Sequence, residues 1–509
     1  MDSVISAEDG EALVFAFRTD NSGPPTSLAE IQTAFEILRE QYSGAKVFAS
    51  TLDNFVNAIN VSTLPTVCGE IGDTWIQGIA SDPRKMALYR AAGRALWCSE
   101  DYQYSCDDEM SYFAPLLSKL PEHTWGLPSV HSTANWSNAN FQKTRNQPAF
   151  VDAEQSWLEQ RVFFNLTQDA IESKLSKGDI YPFFKREMEG IYPVLPDLNN
   201  FTSVDPKTVF KVANDFSIAF GSDGSITLLN GTLNNRMYSF ADESHPLGLF
   251  TYHTYNETDF EQFNSQYDYY GNAGYDKPNS TASANPKRAV YRFPMTGLYR
   301  NNKDESIFLV ELEGDPIAHS YYGGPEKIWI QVQITKTEPP TTWIMDLSFE
   351  VILVNKMATR LAEATMFSFT PALQDRKDYW QDRLYKVAPQ TSPLYFSANR
   401  FFSVFSVIEN GSFYQHAVEQ VNLLEQGNFG NVTLGFVSPD VPLVCPIFLR
   451  PEEVIQTPTP FPYMERPQSV AVDGFAFNLH NNIWNTNYPL WYPFLEEDKN
   501  FKARFHMFW

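Results

Sequence analysis

The residues with the clearest potential for chemistry are an aspartate and a histidine in the first quarter of the chain. Asp20, in "FRTDNSGPP", follows the apolar stretch "EALVFAF", which is typical of a buried strand. Catalytic groups of α/β units lie at the carboxyl ends of their strands, and Asp20 has that position. A carboxylate there could act as an acid or base, although an aspartate in a loop often does no more than fix its own turn.

His123, in "PEHTWG", is a candidate zinc ligand, because imidazole nitrogen is one of the ligands that zinc prefers. A zinc site needs several such ligands. The 8 histidines of the chain, however, include no HxH, HxD or HExxH spacing. From the residues alone, a hydrogen-bonded structural histidine is therefore the simpler interpretation of His123.

A second cluster of candidates lies in "GEIGDTWIQG". Glu70 and Asp73 could form the carboxylate pair that glycoside chemistry uses, and Trp75 could stack on a sugar ring. The same residues could instead cap or bridge a junction between domains, with the tryptophan in the core. From the residues alone, the structural interpretation is the simpler one.

Other kinds of chemistry lack support. The sequence contains no GxSxG, GxGxxG or GxxxxGK[ST] motif, so hydrolase triads, dinucleotides and nucleoside triphosphates are not indicated. The net charge of −23 disfavours nucleic acid and anionic membranes as partners. No apolar run approaches the ~20 residues that span a bilayer, so we predict a soluble protein without membrane insertion.

The first 70 or so residues have a βαβα pattern. "EALVFAF" and "KVFAS" are the predicted strands, and Ser27 with Glu30 three residues later forms a capping box at the start of a helix. That helix has one apolar face, with Leu28, Ile31, Phe35 and Leu38. Two parallel strands make an incomplete sheet, so this segment resembles the end of a larger α/β unit.

The rest of the chain divides into a helical and a β part. "DPRKMALYRAAGRALW" and "FVDAEQSWLEQRVFFNLTQDAIESKL" have helical spacing, whereas from about residue 200 onward the apolar pattern has a period of two. We therefore predict a helical bundle segment at 73–195 and a large antiparallel β-sandwich region at 196–509, with one or two subdomains. The aromatic fraction of 15% suits sugar-stacking surfaces, but the cores of large sandwiches are the simpler explanation.

Cysteines and sequons bear on localisation. Cys68, Cys98, Cys106 and Cys445 form no CxxC pair, and the sequence leaves their disulfide pairing open. Asn-x-Ser/Thr sequons are frequent and favour a secreted or lumenal glycoprotein, although the first residues lack the features of a signal peptide. The sequons begin at Asn60, Asn135, Asn165, Asn200, Asn230, Asn256, Asn279, Asn410 and Asn431.

Several stretches, taken in order, resemble a family of largely uncharacterised proteins, defined by a domain of unknown function. They include "GEIGDTWIQGIASDPRKMALYR", "PEHTWG", "NWSNANF", "VNKMATRLAEATMFSFTP" and "FNLHNNIWNTNYPLWYPF". That family in turn resembles the family-38 glycoside hydrolases, the retaining α-mannosidases. The resemblance implies an α/β barrel, a helical bundle and large β-sandwich domains, which makes residues 1–72 a partial barrel with its C-terminal strands and helices.

The resemblance also implies roles for individual residues. His123 matches the zinc histidine of the helical region, and Asp20 matches the acid/base aspartate late in the barrel. Asp73, Trp75 and Trp125 match the segments that line the sugar pocket. In the mannosidases, zinc is also held by a His-x-Asp pair and by the nucleophilic aspartate, and this chain contains no His-x-Asp.

Two functions therefore follow as expectations. In the first, the chain is a C-terminal fragment of a glycoside-hydrolase-like protein that would cleave an α-linked glycoside with retention when complete, but would hold zinc weakly and be inactive by itself. In the second, it is a non-catalytic β-sandwich protein that binds carbohydrate or protein. The sequence leaves open whether the chain is an enzyme, and which sugar or linkage it recognises.

Overall fold

The structure is a computed structural model and describes most of the chain. The described residues are 4–6, 10–15, 23–64, 80–96, 115–120, 137–175, 180–212, 216–233, 236–259, 284–336, 345–372, 385–386, 407–408, 416–417, 420–425, 432–448, 472–482 and 494–509. The chain divides into two compact units, Met1–Cys68 and Gly69–Trp509. The division of the sequence at residues 72 and 195 remains a prediction.

The first unit contains a short hairpin and two helices. Strands β1 (Val4–Ser6) and β2 (Ala12–Val14) pair antiparallel, and the helices are α1 (Leu28–Gln41) and α2 (Leu52–Ala58), followed by a 3-10 turn at Val61–Thr63. Both helices were predicted. The second predicted strand is wrong, because residues 46–50 form no strand. The described residues therefore contain no parallel strand pair here, and they do not support the predicted barrel remnant.

The second unit begins with the helical segment that the sequence predicts. Its helices are α3 (Pro83–Leu96), α4 (Phe141–Thr144), α5 (Pro148–Leu175) and α6 (Ile180–Glu189), with 3-10 turns at Asn138–Asn140 and Leu198–Asn200. Small residues of α3, including Ala91 and Ala92, are fully buried against Phe164 and Ile171 of α5 and Phe184 of α6. These apolar faces give the helical segment its own core.

The remainder of this unit is dominated by two ten-stranded antiparallel sheets. Its strands are β3 (Phe201–Ser203), β4 (Phe210–Val212), β5 (Phe216–Phe220), β6 (Ile226–Leu233), β7 (Arg236–Ala241), β8 (Leu247–Thr254), β9 (Ala289–Arg292), β10 (Met295–Asn301), β11 (Ile307–Glu313), β12 (Lys327–Lys336), β13 (Met345–Val354), β14 (Glu363–Phe369), β15 (Tyr385–Lys386), β16 (Val407–Ile408), β17 (His416–Ala417), β18 (Gln420–Glu425), β19 (Val432–Val437), β20 (Leu443–Phe448), β21 (Val472–Asn482) and β22 (Phe501–Phe508). A helix, α7 (Pro316–Tyr322), follows β11, and a 3-10 turn at Glu496–Lys499 precedes β22.

The order of the strands places the C-terminal strand near the middle of the first sheet. That sheet runs β16-β15-β18-β19-β22-β13-β12-β11-β10-β3, and the second runs β17-β20-β21-β14-β8-β6-β5-β4, with β7 and β9 paired at its side. The long strands β12 and β13 lie in the part of the chain whose apolar pattern has the predicted period of two. The predicted antiparallel β-sandwich is confirmed in this coarse form.

Phenylalanine side chains fill the space between the two sheets. The ring of Phe505 in the first sheet lies 4.8 Å from that of Phe367 in the second, centroid to centroid, and the ring of Phe349 lies 5.6 Å from that of Phe369. All four side chains are buried. Burial of such rings is a major source of stability for a sandwich, so a large part of the aromatic content has a structural explanation.

No helix among the described residues is both long enough and apolar enough to cross a membrane.

Candidate functional site

The residues that the sequence singled out for chemistry lie outside the described part of the chain. This holds for Asp20, Asp73, Trp75, His123 and Trp125, and also for Glu70. The structure therefore neither brings them together nor separates them, and their roles remain predictions. The described residues offer two other clusters of polar side chains, one beside an open cleft and one in the sandwich interior.

The cleft lies where the helical segment meets the end of the chain. It has a volume of ≈ 270 Å³ and is lined by the start of α3, residues 191–193 and residues 497–502. Asp82 caps α3, since its Oδ1 accepts the backbone N–H of Lys85 at 3.0 Å. Pro83 follows as the first helical residue, a position where its missing N–H costs nothing. The local sequence "SDPRK" thus fixes one wall of the cleft.

A single arginine connects the three segments of chain behind this wall. Arg161, on α5, donates from Nε to Asp82 Oδ2 at 2.8 Å and from Nη2 to Asp82 Oδ1 at 2.9 Å. Its third nitrogen, Nη1, donates to Asp498 Oδ2 at 3.0 Å. Both aspartate side chains are almost fully buried. The guanidinium therefore ties α3 and the 3-10 turn before β22 to the long helix α5.

The same geometry sets the charge state of the two aspartates. Burial raises the pKa of Asp82, but the attraction and hydrogen bonds of Arg161 outweigh it, so the net pKa is lowered. For Asp498, burial dominates and raises the pKa in spite of Arg161, with the charge of Asp82 adding to the rise. Two neighbouring carboxylates whose pKa values shift in opposite directions are the usual signature of an acid/base pair. Here the oxygens are occupied by Arg161, by Lys85 N–H and by Leu495 N–H, so a structural role is the better explanation.

The rim of the cleft is less tightly bound. Arg84 lies 5.4 Å above the ring of Tyr192, and its Nη1 is 3.5 Å from Asp498 and 3.6 Å from Glu497. Tyr192 is 43% exposed. Lys502 Nζ reaches only Glu350 Oε2, at 3.5 Å, among the contacts that the described residues show. An accessible aromatic face beside charged and amide groups suits a polar ligand with hydroxyl groups.

The second cluster lies inside the sandwich, at one end of β14. Lys356 Nζ donates to Glu363 Oε1 at 2.7 Å, and the Tyr252 hydroxyl lies 2.5 Å from Glu363 Oε2. His480 Nδ1 is 3.8 Å from the same carboxylate. Burial, together with the neighbouring Glu363, raises the pKa of Tyr252 well above its ordinary value. All four residues are less than 5% exposed, so this cluster is closed to a substrate.

A neighbouring histidine faces the other side of the same sheet. His253 is buried, and its Nε2 lies 2.9 Å from the hydroxyl of Thr251. Burial, with a smaller contribution from Arg288, lowers its pKa to about 3. His253 is therefore uncharged at neutral pH, which is the state in which a buried imidazole is least costly.

Within the described ranges, no three or more His, Cys, Asp and Glu side chains approach one another closely enough to hold a metal ion. The fit of a zinc ion to this protein thus depends on His123 and Asp20, whose positions are not described.

Sequence reasoning missed the residues that build the cleft. Arg161 lies between Gln160 and Val162, and the local pattern predicts only an ordinary surface charge on an amphipathic helix. Asp498 belongs to the acidic run "EEDK", which reads as a solvated turn. The one available signal was "SDP" before an apolar-periodic stretch, since Asp at an N-cap is a recognisable helix start.

Comparisons with known proteins give a family and no activity. No curated protein matches the chain. Residues 79–342, more than half of the 509 residues, match a family described as Domain of unknown function (DUF5054). The matched residues include most of the helical segment, with Asp82 and Arg161, and the strands from β3 to β12. The chain therefore belongs to the DUF5054 family.

Proposed function

We propose that the protein is glycoside-hydrolase-like, of the α-mannosidase type. The observation that carries this proposal is the order of its parts: the helical segment precedes two large antiparallel sheets that pack into a sandwich. The resemblance to the mannosidases implies the same order. The further suggestion, that residues 1–72 are part of a barrel, has no support from the described residues.

In this proposal His123 is a zinc ligand and Asp20 is the acid/base residue. Zinc, when bound, would supply a Lewis acid and a template for sugar hydroxyls. A histidine alone holds zinc weakly, since zinc sites use three or four protein ligands. Because the 509 residues include no His-x-Asp pair, we expect no zinc-dependent turnover by this chain alone.

Two measurements on the purified protein test the proposal. The first is the melting temperature with a non-hydrolysable α-mannoside and with the matching α-glucoside; we expect only the mannoside to raise it. No shift with either sugar would contradict a mannosidase-type protein.

The second measurement is hydrolysis of an aryl α-mannoside with added zinc, where we expect no hydrolysis. Turnover that a chelator and Asp20→Asn both abolish would instead show a complete catalytic site in this chain.

A second candidate function is metal-free glycan binding, and the cleft favours it. The exposed ring of Tyr192, the Arg84 guanidinium with its long contacts to Asp498 and Glu497, and the amide of Asn500 are groups of the kind that bind sugars through stacking and hydrogen bonds. Neither function requires Asp82 or Asp498 to exchange protons.

Tyrosine variants distinguish this binding function from the catalytic one. In the presence of a metal chelator, Tyr192→Ala should weaken glycan binding roughly tenfold, which corresponds to about 1.4 kcal/mol of lost stacking. Tyr321→Ala is the matched control, because Tyr321 is also 43% exposed but lies on α7, away from the cleft. Equal affinity of both variants would remove the cleft from consideration.

A further inference from the structure

The sequons of this chain share a sequence pattern but differ in local structure. Three of them illustrate the difference: Asn60, in the first unit, and Asn200 and Asn230, in the second. An acceptor asparagine needs an accessible amide and room for a bulky glycan in the folded protein. The structure separates the three on both criteria.

Asn60 satisfies both criteria. Its side chain is exposed, just before the 3-10 turn Val61–Thr63. Its Oδ1 accepts the backbone N–H of Ser62 at 3.2 Å and the hydroxyl of Ser62 at 2.6 Å. The sequon is thus folded so that its hydroxyl lies against the amide.

Asn200 has a similar setting at the end of the 3-10 turn Leu198–Asn200. Asn200 and the sequon's Thr202 are both exposed, and the Thr202 hydroxyl donates to Asn302 Oδ1 at 2.6 Å. Asn200 Nδ2 lies 3.3 Å from Asp197 Oδ2, at the surface. A glycan here would project from the edge of the first sheet, where β3 is the last strand in the order.

Asn230 fails the criteria. It lies within β6, opposite Ser217 of β5 and Ser239 of β7. Its Oδ1 is buried and has no hydrogen-bond partner among the described residues. A sugar on this half-buried carboxamide would have to displace neighbouring strands.

From these contrasts we propose that Asn60 and Asn200 are N-glycan acceptors and that Asn230 is not. The donor class is an oligosaccharide linked to a lipid pyrophosphate. Nδ2 of the asparagine forms a bond to the anomeric carbon, the carbon–oxygen bond to the pyrophosphate breaks, and the lipid pyrophosphate leaves with the electron pair. The amide loses one proton to the transferase, and nothing is oxidised or reduced. This inference is independent of the proposed glycoside chemistry.

The test is site-by-site occupancy in the full chain. The 509-residue chain is expressed in eukaryotic cells behind a cleavable signal peptide, and both medium and cell extract are collected. An amidase that releases N-glycans in ¹⁸O water marks each occupied asparagine, which mass spectrometry then counts. We expect glycan on most copies at Asn60 and Asn200, and on fewer than a tenth at Asn230.

Variants at one sequon separate recognition from folding. Ser62→Ala should abolish the glycan at Asn60 while Asn60 itself is retained, and Ser62→Thr should restore it. Because cell extract is mapped together with medium, a chain that is retained inside the cell gives the same information. Bare Asn60 and Asn200 in both fractions would overturn the proposal, and so would occupancy at Asn230 equal to that at Asn60.

Discussion

At the scale of single residues, burial decides which charged groups are available for chemistry. Asp82 and Asp498 border a cleft, but the guanidinium of Arg161 binds both at 2.8–3.0 Å. Removing one member of a buried ion pair typically costs about 3–5 kcal/mol, because the other charge is left without a partner. The rim residues Arg84 and Tyr192 are more exposed, and Arg84 reaches its acidic neighbours only at 3.5 and 3.6 Å. The cleft is therefore better suited to binding than to proton transfer.

His253 gives a prediction for the dependence of stability on pH. Its pKa is lowered from 6.5 to about 3 in the folded protein, so the unfolded chain takes up a proton as the pH falls below 6.5 while the folded protein does not. The contribution to stability is complete above pH 6.5 and is lost as the pH falls toward 3, at about 1.4 kcal/mol per pH unit.

The measurement is urea unfolding between pH 7 and pH 4.5. His253→Gln removes the titrating group and should make the pH dependence shallower than in the wild type. Comparison of the two proteins cancels the contributions of the carboxylates, which they share. Parallel pH profiles would show that His253 is protonated in the folded state.

At the scale of elements, the helix caps and the period of the apolar residues depend on neighbours in the sequence. Ser27 Oγ accepts the N–H of Glu30 at 3.3 Å, as the capping box predicts, and the Glu30 carboxylate accepts the N–H of Thr26 at 3.1 Å. The strand predicted at 46–50 failed for a non-local reason. An apolar alternation becomes a strand only when another strand supplies its hydrogen bonds, and none does so there among the described residues.

A β-bulge in β8 gives the prediction at this scale. Leu247 pairs with Phe369 and Leu249 with Ser368, so Gly248 is the extra residue, with φ at 72°. A Cβ on Gly248 would lie 2.7 Å from Phe349 Cε1 and 3.1 Å from Phe367 Cζ. Gly248→Ala should therefore destabilise the sandwich by about 2–5 kcal/mol, from left-handed backbone strain and overpacking.

Thermal unfolding of the β-rich unit, followed by near-ultraviolet circular dichroism, measures this change. Gly44→Ala is the control, because its added Cβ meets nothing within 4 Å and Gly44 has no positive φ. The control should leave the transition of the sandwich unchanged. A Gly248→Ala protein as stable as the wild type would show that the bulge can relax.

At the scale of the whole molecule, the two units differ in how much apolar surface they bury. In α1 only Leu38 is buried, and in α2 no residue is. The central strands β13 and β22, by contrast, place Leu347, Phe349 and Phe505 in the sandwich core. Few buried contacts lead to low local stability, so the first unit should open more often than the second.

Amide hydrogen exchange tests that difference directly. We expect the amides of α1 and α2 to exchange at least a hundredfold faster than those of β12, β13 and β22, because the sandwich amides exchange only through global unfolding. The edge strand β3, which among the described residues pairs on one side only with β10, serves as an internal reference for partial protection. Equal protection in both units would contradict the assignment of stability to the sandwich.

By itself the sequence determined the type of most described elements, since helix starts, apolar faces and alternating strands depend on neighbours within one or two turns. This is why α3, α5, β12 and β13 lie where the pattern predicts. Only the tertiary structure decided the order of the strands, the meeting of Arg161 with two aspartates 79 and 337 residues away, and the enclosure of Glu363 with Lys356 and Tyr252. The physical reason is that an ion pair or a strand pair forms between parts brought together by burying apolar surface, and the spacing of polar residues along the chain does not encode such a distance.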